Sequence, residues 1–187
     1  MKTMNNTERQ LTFQLCSYLL NYPDQEFVDS MPEVLEEIDS LPSSEIKQEL
    51  QNYCEKAKKL SLTKLVSSYI NTFDFGKKTN LYITYMSNGE QRERGMELLF
   101  LKNYYKLHGF NVTDKELPDY LPVMLEFAGQ VDEASMKPVF ERYLSNIEEV
   151  SKNLSNDDNL YGHIMKVILL VLAKSGVTNT LQRSEAH

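Results

Sequence analysis

Glycine and proline are scarce, 7 and 6 in 187 residues, which leaves little material for the many tight turns of an all-β fold. Cysteine occurs only at Cys16 and Cys54, with no CxxC pair, so neither a disulfide framework nor a cysteine-built zinc site is expected. His108, His163 and His187 sit in unrelated segments, and neither HExxH nor a Glu-x-x-His pair occurs, which removes the usual zinc and di-iron signatures. The glycines form neither GxGxxG nor a GxxxxGK loop ending in Ser or Thr, so the common cradles for dinucleotides and nucleoside triphosphates are missing. The opening MKTMNNTERQ has no apolar stretch of the secretion type. The run from Val167 to Ala173 is far shorter than the ~20 residues that span a bilayer as a helix. These absences point to a cytoplasmic chain with reduced cysteines and no direct membrane insertion, no metal and no cofactor.

Excess positive charge is absent too. A net charge of −7 and a pI near 5.1 argue against nucleic acid, whose phosphates call for a basic surface. They suit a basic partner, although mild acidity also serves solubility alone. Adjacent carboxylates such as Glu36-Glu37, Glu148-Glu149 and Asp157-Asp158 point in different directions on a helix and read as solvated faces. The eleven tyrosines, at helical spacing, read as half-buried core.

What is present is ordinary globular composition, 41% hydrophobic and 25% charged, arranged with helical period. The spacing predicts one all-α domain over residues 1–187, a bundle of about eight to nine helices with residues 1–6 and 177–187 frayed. Thr7 is expected to cap a first helix that carries Leu11, Leu15, Tyr18, Leu19 and Tyr22 and stops at Pro23. A short helix begins near Pro32. A longer one runs from Ser44 towards Leu60 with Ile46, Leu50, Tyr53, Cys54 and Ala57 inward. Ser61 or Thr63 caps the next, which ends at Phe75-Gly76. Residues 79–88, TNLYITYMSN, have strand-like content, but Leu81, Tyr82, Tyr85 and Met86 share a helical face and context favours helix. Glu90 to His108 reads as the central helix, apolar over much of its circumference, and Gly109 ends it. Helices follow in ELPDYLPVMLEF, through Val139, Tyr143, Ile147 and Val150, and through Leu160, Ile164, Val167, Ile168, Val171 and Leu172.

Two segments depart from this pattern. Gly89-Glu90-Gln91-Arg92-Glu93-Arg94-Gly95 places arginines at a helix start, where they oppose the dipole and call for carboxylate partners such as Asp119 or Glu126. In Glu116-Leu117-Pro118-Asp119-Tyr120-Leu121-Pro122 a regular helix cannot pass through both prolines, so the chain bends or begins its helix there. Asp114 to Glu133 mixes acids with Tyr120, Leu121 and Phe127, a composition suited to a groove for a basic amphipathic peptide.

Together, Asn71-Thr72-Phe73-Asp74, Leu81-Tyr82 with Thr84-Tyr85, Gly89-Glu90-x-Arg92-x-Arg94-Gly95-Met96, Leu98-Leu99 with Leu101-Lys102, Tyr105, Gly109-Phe110 and Glu116 to Pro122 with Leu125-Glu126-Phe127 resemble, in order and spacing, the central block of the nitrate reductase delta-subunit (NarJ-type) assembly chaperones. These belong to the TorD/DmsD/NarJ redox-enzyme maturation group. The resemblance spans about a third of the chain, and a series of short motifs is more specific than any one. It implies an all-helical, non-enzymatic, cytoplasmic protein, monomer or weak dimer. Such a protein binds the N-terminal segment of the nitrate reductase catalytic (alpha) subunit and keeps the apoenzyme competent for molybdenum cofactor insertion before membrane attachment. On this chain Tyr85, Asp119, Tyr120, Leu121, Pro122, Glu126 and Phe127 are expected to line the peptide groove, with Glu90, Arg92 and Arg94 as its wall. A helical adaptor for another basic amphipathic peptide is the alternative; a small hydrolase using scattered carboxylates would need a perturbed carboxyl in a closed pocket.

Overall fold

The computed structural model describes residues 4–76, 78–85, 91–155 and 158–179. Among them are nine α-helices: α1 (Asn6–Leu19), α2 (Gln25–Asp29), α3 (Met31–Ser40), α4 (Ser44–Lys58), α5 (Leu62–Tyr69), α6 (Gln91–Leu107), α7 (Leu121–Ala128), α8 (Glu133–Leu154) and α9 (Gly162–Lys174). A π-helical turn, Ile70–Asp74, extends α5, and β pairing among the described residues is limited to one isolated bridge, Tyr82 with Tyr120. The all-α class and the number of helices agree with the hydrophobic period.

Helix ends follow local chemistry. Asn5, not Thr7, caps α1, its side-chain oxygen accepting from the Glu8 amide at 2.8 Å. The α2 helix is capped by Asp24 in the same way, and Ser61 caps α5. At Gly109 (φ 75°) and Gly176 (φ 68°) the chain turns left-handed, and a six-residue backward bond closes each helix: Phe110 to the Tyr105 carbonyl, Val177 to the Leu172 carbonyl. Val177 is buried, so the packed chain continues past the point where fraying is expected. Residues 180–187 lie outside the described part.

The centre of the molecule is formed by α1 and α9, not by the segment Glu90 to His108. Helix α1 packs on α7 and α9, and its Arg9, Thr12, Phe13, Leu15, Cys16, Ser17 and Leu19 are all buried. Its polar side chains hold α7 at both ends: Ser17 Oγ donates to the Pro122 carbonyl (2.7 Å) and Gln14 Nε2 to the Gly129 carbonyl (2.9 Å). Gly129 allows this approach, since a Cβ there would lie 2.7 Å from Gln14 Cγ. Opposite, apolar α9 is enclosed by α1, α4 and α8. In α6 only Leu101 and Tyr105 are buried, while Met96, Leu99 and Leu107 are 67, 59 and 82% exposed. Its apolar residues are spread around the helix, and the inner ones suffice to anchor it. Polar ties complete the attachment: Arg142 of α8 grips Glu97 with two bonds (2.8 and 2.9 Å), the Tyr143 hydroxyl donates to Glu97, and the Tyr104 hydroxyl donates to the Ser135 carbonyl (2.8 Å).

Residues 79–85 are not helical. The amide of Leu121 at the start of α7 donates to the Leu81 carbonyl (2.8 Å), and the Ile83 amide donates to the Asp119 carbonyl (2.9 Å). Asn80 Oδ1 accepts from the Tyr82 amide (2.8 Å), turning the chain into this pairing. A helix over the same residues would leave the proline-interrupted strand of chain before α7 without these partners. Residues 86–88 lie outside the described part, as does Glu90.

Candidate aromatic and acidic cleft

The bridge between Tyr82 and Tyr120 fixes one wall of a cleft whose opposite wall is the end of α1. Helix α1 ends at Leu19, earlier than the stop expected at Pro23, and Tyr22 is half exposed at the rim of the cleft. Two hollows, of about 430 and 340 Å³, share Tyr22, Glu116 and Tyr120. The first runs past Phe110, Lys115, Pro122, Val123 and Glu126; the second past Tyr69, Phe73, Asp74 and Tyr82.

Aromatic contacts build its floor. Tyr82 lies against Tyr120 with ring centres 5.0 Å apart, Tyr22 meets Tyr69 edge-on at 5.5 Å, and Tyr69 meets Phe73 at 4.9 Å. The hydroxyls are committed to hydrogen bonds: Tyr82 donates to Glu116 (2.7 Å), Tyr69 donates to the Leu20 carbonyl (3.0 Å) and shares a 2.8 Å bond with Tyr120. Burial pushes the phenols of Tyr69, Tyr82 and Tyr120 above the usual range; for Tyr82 the hydrogen bond to Glu116 adds to it. Neutral phenols of this kind neither attack nor abstract protons near neutral pH, so the cleft offers apolar faces and carboxylates, which is recognition chemistry. Asp74, Glu116 and Glu126 give it negative charge against the single cation Lys115.

The sequence-expected groove residues divide. Tyr120, Pro122 and Glu126 do line the cleft. Tyr85 is exposed but stands outside it, beside Arg94, whose guanidinium is 5.7 Å from the ring centre. Leu121 and Phe127 are fully buried; Phe127 packs among Tyr105 (4.7 Å) and Phe110 (5.7 Å), because the inner face of α7 is covered by the chain that caps α6. Asp119 is also fully buried. Its Oδ2 accepts from Thr84 Oγ1 (2.7 Å), the Thr84 amide (3.2 Å) and Arg94 Nη2 (3.4 Å). The ion pair of a helix-start arginine with Asp119 is as the sequence suggests, but it ties α6 to the bridge behind the cleft and leaves no carboxylate surface for a peptide. Arg92 is exposed. Tyr22, Asp74 and Tyr82 were not expected in the site; the one signal available for them was an aromatic residue directly before Pro23 and a π turn that cannot be read from spacing.

No group of His, Cys, Asp and Glu among the described residues is placed to hold a metal ion, and no helix among them is long and apolar enough to cross a membrane.

The family model "Nitrate reductase delta subunit" matches residues 38–157. The chain belongs to the nitrate reductase delta-subunit family. Within it the chain is 45% identical to the probable nitrate reductase molybdenum cofactor assembly chaperone NarJ of Bacillus subtilis, across 96% of this chain and 97% of that one. It is 26% identical to the nitrate reductase molybdenum cofactor assembly chaperone NarJ of Escherichia coli K12, across 87% and 70%. The crystal structure of a putative redox enzyme maturation protein from Archaeoglobus fulgidus has the same fold, with a TM-score of 0.61 over 88% of this chain and 93% of that one at 20% identity. The delta-subunit family is one of assembly chaperones, not of catalysts.

Proposed function

We propose that this chain is the assembly chaperone of a respiratory nitrate reductase. In this reading it binds the N-terminal segment of the catalytic subunit in the cytoplasm and keeps the apoenzyme open to molybdenum cofactor insertion until membrane attachment. The named relatives support the client. The observation that carries the binding mode is the cleft around Tyr22, Glu116 and Tyr120, where aromatic faces lie beside three carboxylates. Apolar side chains of a peptide bury against the tyrosines, and lysine or arginine side chains meet Glu116, Glu126 and Asp74 at the rim. Tyrosine supplies large contact area with few torsions to freeze, which keeps the entropic cost of binding low.

The test is calorimetric titration with a synthetic peptide of the first residues of the catalytic subunit, a scrambled peptide serving as control. Saturable binding with a negative heat-capacity change, lost on scrambling and weakened at least tenfold by Glu116→Lys with Glu126→Lys, is expected. Equal affinity for both peptides, or for the reversed-charge cleft, would remove the assignment.

A further inference from the structure

The acidity of this chain is concentrated in one region. Between Arg9 and Lys47 there is no lysine, arginine or histidine, while eight acidic residues occur there; the remaining 19 acidic residues are matched by 20 basic ones. Six of the eight lie on α2 and α3 (Glu26, Asp29, Glu33, Glu36, Glu37 and Asp39), and a charge needed only for solubility has no reason to gather there.

Acidic α2 and α3 face α1 across a trough of about 650 Å³. Leu11, Leu15, Tyr18 and Val34 form its apolar floor, and Glu26, Glu33 and Glu37 stand along it; the three glutamates are exposed. No basic residue lines it. Leu11 and Leu15 are about one helical turn apart on α1, as are Glu33 and Glu37 on α3, so floor and rim both repeat at about 6 Å. One end is shaped by Tyr18, whose ring stacks on Phe27 at 5.6 Å and whose hydroxyl meets Ser30 Oγ at 2.5 Å. The trough shares no lining residue with the cleft at Tyr22 and Tyr120.

We propose that this trough is a second docking surface, which takes a basic amphipathic α-helix of a partner protein. The occupant lays leucine-like side chains, one turn apart, onto Leu11, Leu15 and Val34, and directs lysine or arginine from its flank to Glu33, Glu37 and Glu26. The one-turn repeat of both floor and rim fits a helix, since an extended segment alternates every two residues. Anionic lipid or nucleic acid is repelled by the same rim. The proposal stands whether or not the Tyr22–Tyr120 cleft takes a leader peptide.

The experiment uses the full chain and a fluorescent synthetic 18-residue helix with leucines at i, i+4 and i+7 flanked by lysines, followed by anisotropy. A second peptide carries glutamate for each lysine. Expected are saturable binding of the first peptide only, an affinity that falls with salt, at least tenfold weaker binding by Glu33→Lys with Glu37→Lys, and no change with Glu116→Lys. Amide exchange on the complex should show protection in α1 and α3. The altered glutamates are exposed, and an unchanged circular dichroism melt verifies that the variant folds. Equal binding of the acidic peptide, an unaffected Glu33→Lys/Glu37→Lys chain, or protection over Tyr22 and Tyr120 would each overturn the proposal.

Discussion

Asp119 and Glu116 lie three residues apart in one acidic segment, yet the fold gives them different work. Asp119 is enclosed, with Oδ2 held by Thr84 and Arg94 and Oδ1 unpaired, so removing its charge takes the carboxylate from the partly buried Arg94 guanidinium and weakens what Thr84 donates to. Asp119→Asn is expected to cost about 1–3 kcal/mol, read as a lower denaturant midpoint. Glu116 reaches solvent, and Glu116→Gln should stay within about 0.5 kcal/mol of the parent while weakening the peptide. Glu97 gives a residue-scale test in pH. Hydrogen bonding from Arg142, aided by Tyr143 and opposed by partial burial, holds its carboxyl below the usual range. A native pKa below the unfolded one contributes stability that is complete above the unfolded value of about 4.3 and is lost as pH falls through the native value. Because Arg142 is half exposed, the pair contributes about 0.2–1 kcal/mol. Glu97→Gln should therefore lower stability at pH 7 by that order and flatten its decline below pH 4.3; an unchanged acid limb in urea titrations at several pH values would show that the clamp contributes nothing.

At the scale of the element, contact between α1 and α7 depends on Gly129, whose missing side chain leaves room for Gln14. Gly129→Val should push Gln14 off the Gly129 carbonyl and cost about 1–3 kcal/mol, whereas Gly95, which has nothing within 4 Å of a would-be Cβ on exposed α6, should gain about 0.5–1 kcal/mol as alanine. Equal shifts in thermal midpoint for the two variants would refute this account of the packing. Helix ends of this kind are legible in sequence where a residue acts on its immediate neighbours, as Gly109 and Ser61 do. Residues 79–85 are not. Their partners, Asp119 and Leu121, lie some 35 residues on, and the period of Leu81, Tyr82 and Tyr85 carries no trace of a pairing that far away. The groove residues suffer from the same blindness: periodicity finds Phe127 and Leu121 apolar, but only the chain laid over α7 decides that they face inward. Tyr120 adjoins the helix start that Pro122 announces, and Glu126 lies further along α7 on its exposed side, so both stand at the cleft.

For the molecule as a whole, one continuous core connects the docking surfaces, and its two cysteines report on it. Cys16 lies in α1, which contributes to both the trough and the cleft, and Cys54 lies in α4 against α9; both are fully buried and unpaired. Burial pushes the Cys54 thiol up to about 11 and the Cys16 thiol higher, so neither supplies thiolate at neutral pH while the chain is folded. A thiol reagent should thus label native protein only through unfolding, and both cysteines should react at one common rate when the core opens cooperatively. A peptide that binds only the folded chain then slows labelling by the factor 1 + [L]/Kd, about a hundredfold at one hundred times Kd. Labelling followed by mass spectrometry with and without the leader peptide measures both quantities together. A common, ligand-sensitive rate means that the surfaces share one cooperative fold, whereas a Cys54 that reacts faster and ignores the peptide would mean that α4 opens apart from the helices that carry the cleft.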